Sequence, residues 1–290
     1  FKQKTAYEIS TRDWSSDVCS SDLGSLLQRI AGDRDTDRLS AQGFAAGYAG
    51  GAIALVAATS IVAARDRLGL DAATALKLAF LATAAWWLLF SLPAAFARFA
   101  GGDGARHAAN TGGELLHFAR SLFGSTSAAD RRFSAVLLGA MLALGGIQTA
   151  IAQFTSLALQ RFNLDGPALV RLVLLVQAVA LPGALGIGWL TTRFGRRPAT
   201  AISLGGWILV LVLAWFVRSP ADLHWLAVLL ALVLGGAQSL LRAAVAALTP
   251  AGHAGVAFGL LQVGTKLAGF TAGLAFGAIL LATEIGRAHV

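Results

Sequence analysis

Seven stretches of this chain are apolar for long enough to cross a bilayer, which takes about 20 residues: roughly residues 43–64, 74–97, 133–159, 168–190, 199–217, 223–248 and 254–283. Each is apolar all the way round rather than along one stripe. That pattern predicts membrane helices and not the half-buried helices of a soluble all-α protein. The same unbroken apolarity argues against the alternating strands of a transmembrane barrel. Turn formers and breakers bracket the runs: Gly69, Pro93, Asp165-Gly166-Pro167, Pro198, Ser219-Pro220 and Thr249-Pro250. The expected fold class is an all-α integral membrane protein of about seven transmembrane helices, with the lipid bilayer as its solvent.

The loops carry the orientation. Arg29, Arg34, Arg38, Arg98, Arg106, Arg120, Arg131, Arg132, Arg193, Arg196 and Arg197 fall on one side, against Arg65, Arg67, Arg161 and Arg218 on the other. Because basic residues stay cytoplasmic, the N-terminal flank is expected inside and the last helix emerges outside. The long loop 98–132 is then cytoplasmic. Within it, residues 113–123 (GELLHFARSLF) place Leu115, Phe118, Leu122 and Phe123 along one side, which predicts an amphipathic helix lying on the membrane surface.

Composition sharpens this picture. With 23 Lys and Arg against 15 Asp and Glu the chain is basic, which in a soluble protein would raise nucleic acid as a partner. Here 56% of residues are hydrophobic and the mean hydropathy is +0.68, so the charge is read against a membrane and no nucleic acid is expected. The two ends differ in kind from the rest. EIGRAHV (284–290) is what GAGATCGGAAGAGCACACGTC encodes, the start of a common sequencing-library adapter. DWSSDVCSSDL (13–23) reads as the reverse complement of that adapter, and KQKTAYEI (2–9) as its flow-cell primer. Residues 1–23 and 284–290 are therefore expected to be adapter-derived, leaving a natural fragment of about 24–283.

Setting the ends aside removes Lys2, Lys4, Arg12 and Arg287 together with Glu8, Asp13, Asp17, Asp22 and Glu284. The sole cysteine, Cys19, goes too, so disulfides, thiol catalysis and cysteine metal sites are not expected in the remainder. Its basic residues are arginines except Lys77 and Lys266. Together with abundant Ala and Gly, this points to a GC-rich bacterial genome and hence a bacterial inner membrane.

One turn carries a recognisable motif. Gly188-Trp-Leu-Thr-Thr-Arg-Phe-Gly-Arg-Arg197 joins two spans and resembles the signature loop of the major facilitator superfamily (MFS), G-x-x-x-D-[RK]-x-G-R-[RK], at Gly188, Arg193, Gly195, Arg196 and Arg197. The acidic position of that loop is Thr192 here. The resemblance implies a transporter of two six-helix halves joined by a long cytoplasmic loop, with signature turns between the second and third helices of each half. On that plan the spans correspond to family helices 5 to 11. Residues 24–97 then end the N-terminal half with two helices, 98–132 form the central loop, and 133–283 supply five helices of the C-terminal half; helices 1 to 4 and 12 are missing.

Three further segments are similar to the vacuole-effluxer-like (autophagy-related permease) branch of the superfamily: residues 39–51 (LSAQGFAAGYAGG), 86–93 (WWLLFSLP) and 234–242 (LGGAQSLLR). Eukaryotic members of that branch are amino-acid effluxers, so the resemblance implies a permease of small polar solutes, coupled to a proton or another ion. The branch carries an acid before a glycine in helix 7, as D-G-x-x-T, where this chain has Gly145-Gly-Ile-Gln-Thr149.

Polar residues inside spans are the site candidates, since a charge at bilayer depth normally faces a cavity, a partner or water. Lys77 and Arg171 lie near helix ends and can snorkel. Arg242 lies roughly 9 Å from its helix end and Lys266 roughly 18 Å, at 1.5 Å per residue. Each has a glutamine one turn back, Gln238 and Gln262. The span at 133–159 adds Gln148, Gln153 and Thr155, with Gln148 and Thr155 seven apart and so on one face. Together these seven residues are expected to form a cation-lined, amide-rich pocket for a carboxylate or other anionic group, against the alternative that the glutamines only bond helix to helix. No Asp or Glu lies deep in any span, so a proton-coupling carboxylate is expected in the missing helices.

Gly43, Gly47 and Gly51, and again Gly269, Gly273 and Gly277, repeat at four-residue spacing and predict close helix packing. Phosphate-loop and dinucleotide fingerprints are absent, and His107, His117, His224 and His253 stand at no metal-ligand spacing. No cofactor, metal or catalytic residue is expected. The competing class, a membrane enzyme acting on lipid or an isoprenoid, needs clustered acids or histidines near an interface, and this chain shows none.

Overall fold

The computed structural model describes residues 36–96, 120, 124, 127–250 and 253–282, and among these the chain is helical with no strand. Its long helices are α1 (Thr36–Ala63), α2 (Ala72–Phe96), α3 (Ala128–Gln160), α4 (Gly166–Phe194), α5 (Arg196–Ala214), α6 (Pro220–Leu248) and α7 (Ala254–Ala282). The first six are long and apolar enough to cross a membrane. The seventh is 29 residues long and carries Gln262 and Lys266 near its middle. These positions match the spans expected for a partial MFS fold. The amphipathic stretch 113–123 lies outside the described residues apart from Arg120.

Helix ends follow from local chemistry. Asp71 caps α2, accepting from the amides of Ala73 and Thr74 at 3.1 and 3.2 Å. Hydrogen bonding by Thr74, hydroxyl first and then amide, holds the Asp71 carboxyl below its ordinary pKa. Asp165 caps α4 from its side chain, ahead of Pro167 in the first turn. Ser219 and Asp222 form a reciprocal capping box on α6. Between α4 and α5 the break is one residue: Gly195 has φ +89°, a region that side chains with a Cβ rarely enter. That glycine of the motif is a geometric requirement.

α1 begins seven residues ahead of its apolar run. The early turns are polar but not unsatisfied: Asp37 meets Arg196 and the Ser40 hydroxyl donates to the Ser239 carbonyl at 2.9 Å. At the other extreme α5 spans 19 residues, about 28 Å at 1.5 Å per residue. That matches the hydrocarbon thickness of a bilayer. Arg196 and Arg197 mark one end; exposed Trp215, Phe216 and Trp225 cluster at the other, as interfacial aromatics do.

α6 is the hub. Of its most apolar stretch 61% is buried, against a third or less for the other five spans. It packs against α3, α4 and α5, while α3 and α7 pair closely beside it. Contact is made through small residues. A Cβ at Gly183 of α4 would stand 2.5 Å from the Leu232 carbonyl oxygen, and one at Gly235 would stand 2.7 Å from the Tyr48 ring and 2.9 Å from Ala184 Cβ. On α3, a Cβ at Gly145 would meet Ala268 Cβ at 2.6 Å and the Gly269 amide nitrogen at 2.8 Å. Toward the arginine-rich end of α3, α6 and α7, Phe133, Leu137, Met141, Leu241, Val245, Phe258 and Leu261 fill a dry core.

The four-residue glycine repeats hold as packing faces only in part. Gly51 and Gly269 have close neighbours, but a Cβ at Gly43, Gly47, Gly273 or Gly277 would meet nothing within 4 Å. On α1 the contacting stripe is Asp37, Ser40, Ala41, Phe44, Tyr48 and Gly51, which runs beside the Gly43–Gly47 line rather than along it.

Gly183→Ala should therefore destabilise the protein by about 1–3 kcal/mol, because its methyl meets backbone that cannot move aside. Gly186→Ala, which meets nothing within 4 Å on the same helix, should leave stability unchanged. Thermal unfolding of the two variants in detergent measures the difference, and equal melting temperatures would refute close packing at this crossing.

Candidate functional site

A cleft of about 630 Å³ opens above the dry core, walled by α3, α6 and α7. α3 contributes Leu144, Gln148, Thr149, Ala152 and Gln153. Gln238 and Arg242 come from α6, and Gln262, Thr265, Lys266, Gly269, Phe270 and Gly273 from α7. Six of the seven residues expected from the sequence are thus brought together: Gln148, Gln153, Gln238, Arg242, Gln262 and Lys266. Both glutamine–cation pairs line the cleft as units, because i,i+4 residues share a helix face.

Thr155 is the exception. Its hydroxyl donates to the Ile151 carbonyl at 3.1 Å within α3, and it does not line the cleft. The seven-residue spacing from Gln148 put it on the correct face but roughly 10 Å farther along the helix, at 1.5 Å per residue. Thr149 takes the place expected of it. Its hydroxyl donates to the Gly145 carbonyl at 3.0 Å and reaches the Gly269 carbonyl on α7 at 3.3 Å, tying the two cleft-lining helices. Thr265 is the other threonine that sequence reasoning passed over. Unlike Thr149, Thr155, Thr191 and Thr249, which all bond one turn back, its buried hydroxyl has no hydrogen-bond partner among the described residues.

Electrostatically the cleft is one-sided. Two cations and four amides line it, and among the described residues no carboxylate does. Lys266 is exposed to the cleft, Gln262 is buried, and Arg242 is half-buried with its guanidinium carbon 5.9 Å from the centroid of the Phe44 ring on α1. Gly145, the position at which the branch pattern has an acid, lies in the α3–α7 crossing. With Ala268 Cβ, the Gly269 nitrogen and the Thr265 carbonyl all within 3 Å of any Cβ, an aspartate has no room there. Among the described residues no group of three or more His, Cys, Asp or Glu lies close enough together to hold a metal ion.

The signature turn lies at the opposite end of α5 from the exposed Trp215, Phe216 and Trp225. Gly188 seats against Ala41, where a Cβ would approach the alanine methyl at 2.6 Å. Thr192 bonds the Trp189 carbonyl at 2.8 Å. Arg196 grips Asp37 with two nitrogens, Nε at 3.0 and 3.1 Å and Nη2 at 3.0 Å, while Arg193 and Arg197 point to solvent. The carboxylate that holds this loop therefore comes from α1 and not from position 192. Asp37 was not among the expected residues. Its signal was the helical period Asp37, Ser40/Ala41, Phe44, Tyr48, which extends the first span into its polar flank.

Comparison with known proteins agrees with this geometry. The family described as vacuole effluxer Atg22 like matches residues 27–288. An uncharacterized MFS-type transporter, YxiO, of Bacillus subtilis (strain 168) is 26% identical over 248 residues, covering 84% of this chain and 56% of that protein. The chain thus spans about half the length of the curated relative it matches. No solved structure matches it. On the strength of a family match that runs through all seven helices, the chain belongs to the vacuole effluxer Atg22-like family of MFS-type membrane proteins.

Proposed function

We propose that this chain is part of a secondary-active permease that moves a small anionic or polar solute, amino acids included, by alternating access. The carrying observation is the cleft: Arg242 and Lys266 with four glutamines around them and, among the described residues, no carboxylate in the lining. Such a lining suits a carboxylate, which accepts charge-assisted hydrogen bonds from both cations and neutral ones from the amides. The effluxer family description supports export as the direction. The Bacillus relative, together with the arginine-rich composition, supports placement in a bacterial inner membrane. Coupling to a proton or other ion would act through residues outside this lining.

Lys266 tests the reading. Lys266→Met keeps the apolar stem and removes the cation, so uptake of the solute at subsaturating concentration should fall about tenfold to a hundredfold, the worth of a hydrogen bond to a charged group. Membrane levels should stay within about twofold. The measurement is initial uptake into inverted vesicles carrying the product of the complete gene, screened with radiolabelled amino acids and dicarboxylates. Unchanged uptake in the variant would remove Lys266 from the site.

Orientation gives a second test. Arg193, Arg196 and Arg197 resist translocation, so a cysteine at position 193 should react with an impermeant maleimide only in inverted vesicles. Ready labelling in intact cells would reverse the topology.

The Asp37–Arg196 pair joins α1, on the N-terminal side of the central loop, to the α4–α5 turn beyond it. In alternating access this contact would close the cytoplasmic side. Asp37→Asn should shift the protein toward cytoplasmic opening by a few-fold, and exchanging the two residues (Asp37→Arg with Arg196→Asp) should restore part of the closure. Cytoplasmic labelling rate of a cysteine at Thr191 reads the shift; an exchange that restores nothing would leave the pair without a gating role.

A further inference from the structure

We infer that Phe44 is a positioning residue that ties the cation in the cleft to the seating of α1 against α6. Arg242 belongs to two places at once. It lines the cleft with Gln238, and its guanidinium lies 5.9 Å from the Phe44 ring centroid, within the range where the ring face attracts a cation. Phe44 is held there from both sides. One turn before it, the Ser40 hydroxyl donates to the Ser239 carbonyl at 2.9 Å. One turn after it, Tyr48 rests on Gly235, where a Cβ would come within 2.7 Å of the ring. On α6, Gly235, Ser239 and Arg242 step along one face at four and three residues; Arg242 lies one turn beyond Ser239, and its long side chain reaches back to Phe44, which sits between the Ser40 and Tyr48 contacts of α1.

The consequence is mechanical. Gly235 and Ser239 are buried under α1, and Arg242 continues the same face into the cleft. While α1 is seated, the guanidinium has an aromatic platform at the cleft wall. When α1 lifts from α6, the platform leaves with it and the guanidinium loses that contact. Cleft occupancy and seam closure are thereby coupled through one side-chain pair, with Phe44 contributing no atom to the cleft lining. This rests on the reading of the cleft as the solute site. The seam itself, however, can be read without any solute.

Ser239→Cys supplies the reporter in the complete protein freed of other cysteines: the position is 1% exposed beneath α1 and becomes reactive to N-ethylmaleimide only when the seam opens. Phe44→Leu keeps apolar bulk and removes the ring, so labelling should speed up about fivefold, in line with a partly desolvated cation–π contact. Phe44→Tyr, which keeps the ring, should label at the original rate. In an Arg242→Met background Phe44→Leu should add less than about 1.5-fold, because its partner is already gone. An equal acceleration in both backgrounds would make Phe44 a packing residue only and overturn the inference, as would no acceleration in either. Loss of labelling control in Phe44→Tyr as well would show that the seam tolerates no change at this position, and would equally overturn it. Lys266→Met does not enter this experiment, so failure of the solute site and failure of the coupling are read separately.

Discussion

In a bilayer nothing squeezes helices together, because lipid tails are as apolar as the side chains they surround. Association depends on how closely two backbones can approach. That constraint explains why α6 is the centre of this structure. Its residues 234–242, LGGAQSLLR, set two glycines and a serine where α4 and α1 cross it, and Gly183 of α4 answers by admitting the Leu232 backbone. Bulk at any of these points would hold the helices apart, and the polar residues carried by α6 would lose the geometry that gives them a common cleft.

The same constraint decides where polar groups can survive. With no water at depth, each needs a partner, a cavity, or a route to the interface. Most threonines in the spans settle the matter locally by donating to the carbonyl one turn back. Gln148, Gln153, Gln238, Gln262, Arg242 and Lys266 instead share a cavity. The packed apolar residues below that cavity, from Phe133 to Phe258, form a floor on the arginine-rich side. The described helices thus outline a cleft closed on its arginine-rich side, where the Asp37–Arg196 pair also lies.

The helices were legible in the sequence because membrane spans announce themselves by length and continuity, and the motif turn because Gly195 has a conformation that its residue type alone accommodates. The cleft was legible for a related reason: a lysine or a cluster of glutamines in an apolar run has few places to go, so Gln238 with Arg242 and Gln262 with Lys266 could be placed on shared faces by spacing alone. What spacing cannot supply is axial depth relative to a neighbouring helix. Thr155 was misplaced for that reason, about two turns beyond Gln148 along α3, and Thr149 was overlooked. Asp37 and Phe44 were invisible for another. Their meaning lies in contacts with residues 159 and 198 positions away; Asp37 in addition stands in a polar flank ahead of an apolar run, which reads by itself as loop.

Two substitutions relative to the family's patterns become intelligible together. Thr192 stands where the signature loop carries an acid, and Gly145 where the branch pattern carries one. At the loop a carboxylate is present from elsewhere: Asp37 on α1 pairs with Arg196, 159 positions away in the chain. At Gly145 the α3–α7 crossing has closed to a distance that admits only a hydrogen, and Thr149 and Gly269 bond across it. An acid there would force the helices apart. Close packing at Gly145 thus holds α7, and with it Gln262 and Lys266, against the rest of the cleft wall.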